Sequence, residues 1–409
     1  MPEFEVKNLD KILSDSLGKD VVVIEQRSKF LTPPGEHYGS IMLALDATVK
    51  IDGKEEILPL VAKMLPASDM LRVAFDSGVT FQKEIDAYTK TIPALVQFQR
   101  DYNVPEHKIL DIFPKCFGAR ISLDKDEVDE NAVLIFENLK VKGYDTGDRF
   151  VGFDLPHAQM IVKDLAKFHA VPIAMKKLRP NDFDKYVGPC IIPNAGIETL
   201  PDDIAAAFTD SIIEIGKTIP ELSPYLEKIT EIVLTSTEDM KNKNGPPIIT
   251  PYATAVHSDY WVNNTMVLRD ANGNPLKNKI VDLQIMQYDH ALRDLIFFLF
   301  TSVQNPVLDA HYDDLIKLYH ETFYDYLKDF GAESDDYSWK NFLTELEDIG
   351  PKEFHHVAFM LKPIFTEKGK INNLSEFKPS DWGRRDLIGP AHKQKLKDTI
   401  LAYVKRNWI

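Results

Sequence analysis

Apolar and polar residues alternate along much of residues 1–140, and this alternation is the pattern of half-buried β-strands. Asp52-Gly53-Lys54 lies between two of the alternating runs and is typical of a hairpin turn. The sequence therefore predicts an antiparallel sheet in this part of the chain. Its strands are expected at residues 21–26, 40–51, 56–65, 116–123 and 132–137.

A different spacing appears between the third and the fourth of these runs. Apolar residues recur there every three or four positions, at Phe81, Ile85, Tyr88, Ile92 and Leu95. This spacing places them on one side of a helix, which we expect over residues 80–99 with Thr80 as its N-cap. Strands on both sides of one helix predict a small lobe of mixed α and β structure.

Helical spacing dominates after residue 141. The first of these helices is expected over residues 156–170 and is expected to stop at Pro172, because proline removes a helical hydrogen bond. A β-hairpin is expected from residues 264–267 and 280–283. Further helices are expected near residues 201–217, 221–241, 290–303, 308–329, 338–348, 351–366 and 391–407. We therefore predict an N-terminal lobe of residues 1–140 and a larger, mostly helical lobe of residues 141–409.

Charge and composition narrow the possible functions. The chain has 409 residues and a formal net charge of −15, from 48 basic and 63 acidic side chains. Nucleic acid and anionic lipid both attract basic surfaces, so we expect neither nucleic acid nor a membrane as a partner. The chain has two cysteines and no leader-like pattern near its N-terminus, so we expect it in the cytoplasm.

Three oxygen-bearing side chains follow one another in the pattern that phosphoryl transfer from ATP requires. Asp259 would orient an acceptor hydroxyl and take its proton, whereas Asn264 and Asp282 would hold Mg²⁺ on the phosphates. Each residue also has a simpler interpretation, as a turn cap or as part of a structural ion pair. His257 comes just before them, and we expect its ring to orient this loop within the catalytic site.

Two charged residues lie on faces that are otherwise apolar. Lys63 interrupts an apolar strand, and Glu84 falls on the apolar side of the helix over residues 80–99. This matches the strand lysine and helix glutamate that handle ATP phosphates in kinases. Alternatively, Lys63 lies at a rim, where its stem covers apolar surface. Gly39 and Ser40 precede the second strand and are expected to cover the phosphates, although two glycines near a hairpin are common.

The strand over residues 132–137 ends where the two lobes are expected to meet. Backbone groups of Glu137 and Leu139 would bind the adenine ring there, which is an argument from position alone. Asp294 lies near the start of an apolar helix and has two equally good interpretations. Its carboxylate either bonds the catalytic loop from behind or is placed there by the helix dipole.

These segments together resemble the ecdysteroid kinase-like family of insects, which is related to choline kinases and aminoglycoside phosphotransferases. The resemblance covers about residues 20–300 and keeps the family order of motifs. The matching segments are Tyr38-Gly39-Ser40, Ala62-Lys63-Met64-Leu65-Pro66, Phe81-Gln82-Lys83-Glu84, Leu134-Ile135-Phe136-Glu137-Asn138-Leu139, residues 257–264, Val281-Asp282-Leu283-Gln284 and Asp294-Leu295.

The resemblance implies an α+β, bilobal, protein-kinase-like fold that uses ATP and Mg²⁺. Its small lobe would be an antiparallel sheet with one helix, and its large lobe mostly helical. Asp259 looks like the catalytic aspartate, Asn264 and Asp282 like the Mg²⁺ ligands, and Lys63 with Glu84 like the phosphate-clamping pair.

Three positions depart from the family pattern. Ser258 replaces the usual glycine, Asn138 an acid, and Leu283 a phenylalanine. None of them is an expected metal ligand, so we expect an active kinase that phosphorylates a hydroxyl of an ecdysteroid or a hydroxylated xenobiotic. Two alternatives stay open: a kinase of a polar acceptor such as choline or an aminoglycoside, and a non-catalytic protein that binds a nucleotide or a steroid.

Overall fold

The computed structural model describes residues 5–31, 40–66, 69–74, 76–193, 202–241, 248–366 and 384–409. The sheet of the N-terminal lobe contains β1 (Val21–Phe30), β2 (Ile41–Ile51), β3 (Lys54–Met64), β4 (Cys116–Arg120) and β5 (Val133–Glu137). These strands lie in the order β1-β2-β3-β5-β4, and every neighbouring pair is antiparallel. The predicted sheet is confirmed, and β3 lies at its centre.

The central strand separates two apolar clusters. Leu60 and Ala62 pack in one cluster with α1 (Leu9–Leu17), a helix that the sequence patterns did not predict. Val61 and Leu65 belong to the larger cluster on the opposite face, which continues into the C-terminal lobe. Because side chains two positions apart on a strand point to the same face, Lys63 faces this larger cluster.

A long helical segment covers that second face of the sheet. It follows the short helix α2 (Asp69–Ala74) and consists of α3 (Ser77–Asp86), a π-helical turn (Ala87–Thr91) and α4 (Ile92–Asp101). The helix begins three residues earlier than predicted, so the assignment of Thr80 as its N-cap is wrong. The Thr80 hydroxyl instead donates to the carbonyl of Asp76 at 3.2 Å, from within the first turn.

The C-terminal lobe contains nine helices in the described residues: α5 (Leu155–Leu178), α6 (Pro180–Asp182), α7 (Asp202–Lys217), α8 (Leu226–Lys241), α9 (Ala291–Ser302), α10 (Asn305–Asp329), α11 (Trp339–Lys352), α12 (Phe354–Phe365) and α13 (Pro390–Lys405). The predicted stop at Pro172 is wrong, because α5 continues to Leu178. Ile173, Ala174 and Met175, which follow Pro172, are all buried. Their burial outweighs the loss of one helical hydrogen bond, which costs about 3 kcal/mol.

Five short strands lie beside these helices. They are β6 (Tyr144–Thr146), β7 (Ala253–Val256), β8 (Thr265–Arg269), β9 (Pro275–Ile280) and β10 (Gln287–His290), in one sheet of order β6-β8-β9 and one pair of β10 with β7. The predicted hairpin is formed by β8 and β9. Its strands are displaced from the expected ranges, so Asn264 lies just before β8 and Asp282 just after β9. Asn264 is the last residue of a short 3₁₀ helix (Val262–Asn264), and Asp282 lies in the loop after β9.

The fold is an α+β bilobal arrangement, with a small antiparallel-sheet lobe and a large, mostly helical lobe. No helix in the described parts of the chain is long and apolar enough to cross a membrane.

Candidate active site

Lys63 joins the two lobes through a pair of carboxylates. Its Nζ lies 2.5 Å from the carboxylate of Glu84 on α3 and 2.9 Å from that of Asp282, which follows β9. The Lys63 and Glu84 side chains are 4% and 1% exposed, whereas the Asp282 side chain is 32% exposed. The two inward charges that the strand and helix patterns predicted therefore meet, and Asp282 presents the accessible side of the cluster.

The charges of this cluster do not balance. Burial alone would lower the pKa of Lys63, but the charges of Asp282 and Glu84 raise it, so the ammonium stays protonated. Burial raises the pKa of the Glu84 carboxyl, and the charge of Asp282 adds to this effect. One cation thus faces two acids, and a second cation beside Asp282 would relieve the excess negative charge.

Asn264 forms hydrogen bonds within the catalytic loop. Its Nδ2 donates to the backbone carbonyl of Asp259 at 2.8 Å and to Asp259 Oδ2 at 3.0 Å. Both bonds use the nitrogen end of the amide, so Oδ1 faces away from Asp259. The side chain is 7% exposed and cannot turn without losing these bonds. Asn264 therefore holds Asp259 in place and offers an amide oxygen on its other side.

His257 connects this loop to the turn that carries Asp282. Its Nδ1 accepts a hydrogen bond from the backbone N–H of Asp259 at 3.2 Å, and its Nε2 lies 3.0 Å from the carbonyl of Val281. An Nε2–H tautomer satisfies both partners. Burial lowers the pKa of His257, which keeps the ring neutral in this tautomer. The geometry fits an orienting side chain, because both ring nitrogens are occupied by backbone groups.

Asp294 supports the loop from behind. Its Oδ2 accepts from the backbone N–H of His257 at 2.6 Å, and its Oδ1 accepts from that of Ser258 at 2.9 Å. His169 Nε2 on α5 lies 3.1 Å from the same carboxylate, and His169 Nδ1 lies 2.7 Å from the hydroxyl of Tyr319. Burial opposes ionisation of Asp294, but its bonds to His169 and to the loop outweigh burial and lower its pKa. These bonds correspond to the first interpretation of Asp294, in which its carboxylate bonds the catalytic loop from behind.

His169 and Tyr319 are site residues that the sequence patterns missed. One signal was present for His169, which follows Leu165 by one helical turn and so shares the buried face of α5. A buried histidine on an apolar face requires polar partners. Tyr319 lies on α10, far along the chain, and nothing local in the sequence connects it to His169.

Two residues of the site have a left-handed backbone. Ser258 has φ 68° and Asp282 has φ 67°. Residues with a Cβ atom adopt this conformation at a cost of about 1–2 kcal/mol, and glycine avoids that cost. Glycine would adopt the backbone conformation of Ser258 without this cost, and the serine is accommodated with strain.

Replacement of Ser258 by glycine is therefore expected to stabilise the protein by about 0.5–1 kcal/mol, after allowance for the greater freedom of glycine in the unfolded chain. Ser16 provides the matched control, because it is exposed in the regular helix α1. There the same replacement should cost about 0.5 kcal/mol. Denaturant unfolding of both variants measures the difference, and an equal loss of stability in the two would contradict the strain at Ser258.

The proposed nucleotide end of the site is only partly described. Gly39 lies outside the described residues, whereas Ser40 directly precedes β2. Glu137 ends β5, and its carboxylate accepts from the backbone N–H of Lys115 at 2.7 Å and pairs with Lys142. Its side chain is therefore engaged away from the ion cluster of Lys63, and its backbone N–H donates to the carbonyl of Lys115 at 2.9 Å.

Asn138 and Leu283, the two other departures from the family pattern, have structural partners. Asn138 Oδ1 accepts from the backbone N–H of Lys140 at 3.1 Å and so caps the turn after β5, just beyond Leu139. Leu283 is 1% exposed, and its backbone N–H donates to Glu84 Oε1 at 3.2 Å. Asn138 therefore caps a turn, and Leu283 is a buried packing residue.

The oxygen atoms around the loop fit a magnesium ion. Burial raises the pKa of Asp259 well above its ordinary value, and the charge of Asp282 is the next contribution, so these two acids lie within electrostatic reach. Mg²⁺ prefers carboxylate and amide oxygens together with waters and phosphates. No group of three or more His, Cys, Asp or Glu side chains in the described residues forms a metal cage. An ion here would thus rely on Asp282, on Asn264 Oδ1 and on the phosphates.

Comparison with known proteins shows the family of this chain. A model of the ecdysteroid kinase-like family matches residues 34–332. The chain belongs to the ecdysteroid kinase-like family. The matched range contains Lys63, Glu84 and the whole loop with its asparagine and aspartates.

Among solved structures, the chain is similar to the GDP complex of a mutant aminoglycoside 2′-phosphotransferase-IIIa (12% identity, TM-score 0.42, covering 98% of this chain and 100% of that one). It is also similar to a spectinomycin phosphotransferase in complex with ADP and spectinomycin (13% identity, TM-score 0.41, covering 98% of this chain and 99% of that one). The wild-type aminoglycoside 2′-phosphotransferase-IIIa with GDP has 11% identity and a TM-score of 0.40, and the match covers 98% of this chain and 100% of that one. Likenesses of this size do not bear on the chemistry of the site. A search of curated protein sequences found no match.

Proposed function

We propose that this member of the ecdysteroid kinase-like family transfers the terminal phosphoryl group of ATP to a hydroxyl group of a small molecule. One observation carries the proposal. Lys63, Glu84 and Asp282 form an ion cluster that His257 connects, through the carbonyl of Val281, to the loop of Asp259 and Asn264. Phosphoryl transfer needs positioning and charge neutralisation more than covalent chemistry, and this arrangement supplies both.

In this proposal Asp259 accepts the proton of the acceptor hydroxyl, and the hydrogen bond from Asn264 orients the Asp259 carboxylate. Lys63 binds phosphate oxygens, and Glu84 fixes the lysine stem from the helix side. Asp282 and Asn264 would hold Mg²⁺, which supplies positive charge to the phosphates when it is bound. His257 orients the loop and takes no proton, because both of its nitrogens are bonded to backbone groups.

The remaining assignments follow from the same proposal. The lobe of residues 1–140 binds the nucleotide through Gly39, Ser40 and the backbone of Glu137 and Leu139, and residues 141–409 carry the catalytic loop and bind the acceptor. We propose an ecdysteroid or a hydroxylated xenobiotic as the acceptor, on the basis of the family. Cys116 and Cys190 are free thiols, which supports the cytoplasm as the location.

Incubation of the purified protein with MgATP and an acceptor panel tests this function. The panel contains ecdysteroids, hydroxylated xenobiotics, choline and an aminoglycoside, and mass spectrometry identifies phosphorylated products. We expect product from the first two classes and only in the presence of Mg²⁺. Product from choline or the aminoglycoside alone would overturn the acceptor class. Binding of a steroid without turnover of any acceptor would indicate a carrier and would overturn the kinase.

The pH dependence of turnover should report Asp259. Its pKa is raised by burial and by the charge of Asp282, and only the ionised carboxylate can accept a proton. The value of kcat/KM should therefore fall with decreasing pH at a pH above about 4, the ordinary range of an aspartate. A pH–rate profile measures this limb. A profile that stays flat down to pH 4 would contradict a raised pKa of the catalytic base.

A further inference from the structure

A cavity lies in the C-terminal lobe, apart from the ion cluster of Lys63. Its volume is about 360 Å³, within the range of small-molecule sites. It opens where the loop before α5 meets the first turns of α10 and α13. Thr301 lines it from the last turn of α9, whereas Asp294 bonds the catalytic loop from the first turn of the same helix. Seven residues of helix place these two points roughly 10 Å apart along the axis.

A buried lysine forms part of the cavity wall. Lys395 is 8% exposed, and its Nζ donates to the carbonyl of Val303 at 3.0 Å and to Asn305 Oδ1 at 2.6 Å. An ammonium group has three N–H donors, so one donor is left for a ligand. In the described part of the chain, no carboxylate lies within ion-pair distance of this group. A buried cation with neutral partners alone favours an anion beside it.

Among the described lining residues, the charged side chains are all basic. Arg149 also lines the cavity, but its guanidinium donates to the backbone carbonyls of Pro363, Ile364 and Thr366. No acidic side chain is among the described lining residues, although the chain has more acids than bases. The first turns of α10 and α13, which carry partial positive charge, supply Asn305 and Ala391 to its wall. Burial lowers the pKa of Lys395 to about 8, and the charges of two nearby acids, Asp398 and Asp309, oppose this effect. Asp398 accepts from Asn305 Nδ2 at 2.6 Å and from Gln394 Nε2 at 2.8 Å, so both of its oxygens are engaged.

The cavity also has an apolar side. Val303 and Phe365 are buried in its wall, whereas Phe150 and Val151 stand at its mouth, 37% and 59% exposed. A ligand that satisfies the whole cavity therefore combines an anionic head with an apolar body. We propose that this cavity binds a small amphiphilic anion, with a carboxylate or phosphate head at Lys395 and an apolar body toward Val151.

Calorimetric titration of the full chain with eight-carbon probes tests the two halves of the proposal. We expect saturable binding of octanoate or octyl phosphate, with the tighter of the two identifying the head. Octanol and inorganic phosphate, which lack the head or the body, should bind at least about tenfold more weakly, since a charge-assisted hydrogen bond and apolar burial each exceed 1.4 kcal/mol. Octylammonium should not bind. Octanol or octylammonium binding as tightly as octanoate would overturn the proposal, as would the absence of saturable binding by both anions.

Variants locate the binding. Lys395→Gln keeps a hydrogen-bond donor but removes the charge, and Val151→Glu adds a negative charge at an exposed position of the mouth. Each should weaken the better anion at least about tenfold. Lys352→Gln is the control, because Lys352 forms an exposed pair with Asp348 on α11, and it should bind the anion like the wild type. ATP affinity should be the same in all three variants. Unchanged anion binding in Val151→Glu, which disturbs no hydrogen bond of the fold, would overturn the proposal even if Lys395→Gln fails to fold.

Discussion

Asp259→Asn should slow phosphoryl transfer by about 10²–10⁴-fold and at the same time stabilise the folded protein. Loss of a general base typically slows a reaction by about 10²–10⁴-fold, and asparagine keeps the shape and the bond from Asn264 Nδ2 while it cannot take a proton. The stability gain arises because burial and the charge of Asp282 disfavour the ionised Asp259 carboxylate in the folded state. Steady-state kinetics and thermal unfolding of the same preparation measure the two effects.

The pH dependence of the gain has a definite sign. Because the folded-state pKa of Asp259 is raised, ionisation costs stability at pH values above the unfolded-state pKa of about 4. The advantage of Asp259→Asn should therefore be absent below pH 4, grow as the pH rises toward the folded-state pKa, and then stay constant.

Asp270→Asn is the matched control for this variant. Hydrogen bonds from Asn274 lower the pKa of Asp270, which lies in the exposed β8–β9 turn. The control should therefore retain full activity and gain no stability at neutral pH. Undiminished turnover in Asp259→Asn, or lower stability than the wild type at pH 8, would contradict the role assigned to Asp259.

Lys63→Met should remove activity and destabilise the protein by about 3–5 kcal/mol at pH 8, which is the usual cost of breaking a buried ion pair. The methionine fills the space of the stem, but Glu84 keeps a buried carboxylate without its cation. The pKa of Glu84 is already raised by burial, so protonation should reduce the penalty as the pH falls. Urea unfolding at pH 8 and at pH 6 measures both values.

A double variant separates the loss of activity from the loss of stability. Adding Glu84→Gln to Lys63→Met removes the orphaned charge and keeps an acceptor for the backbone N–H of Leu283. Much of the lost stability should return, while activity stays absent. Lys352→Met, which breaks an exposed pair on α11, should change stability by no more than about 0.5 kcal/mol. If the double variant were less stable than Lys63→Met alone, the account of a buried, coupled ion pair would be wrong.

Local patterns in the sequence were enough to locate the charged residues of the site. Lys63 breaks an apolar alternation and Glu84 an apolar helical stripe, so each was visible as a charge on an inward face. The loop residues were visible as a motif. Patterns of this kind are local, and they report which face a residue occupies more reliably than which residue it meets.

What the sequence did not predict depends on tertiary contacts. The path of α5 beyond Pro172 depends on burial of the residues that follow it. The support of Asp294 by His169 and Tyr319 joins three separate helices, and no short-range pattern connects them. The left-handed backbone of Ser258 is held by the hydrogen bond that its N–H donates to Asp294, and a serine in the sequence does not by itself predict this conformation.

We propose that Asp282 and Asn264 hold a metal ion on the phosphates of a nucleotide that Lys63 also contacts. Calorimetric titration of ATP, with and without Mg²⁺, tests it without knowledge of the acceptor. Wild-type protein should bind ATP much more tightly with Mg²⁺, and Asp282→Asn and Asn264→Ala should lose most of this difference, whereas Lys395→Gln should keep it. Equal ATP affinity with and without Mg²⁺ in the wild type, or a magnesium effect of normal size in Asp282→Asn, would contradict the account.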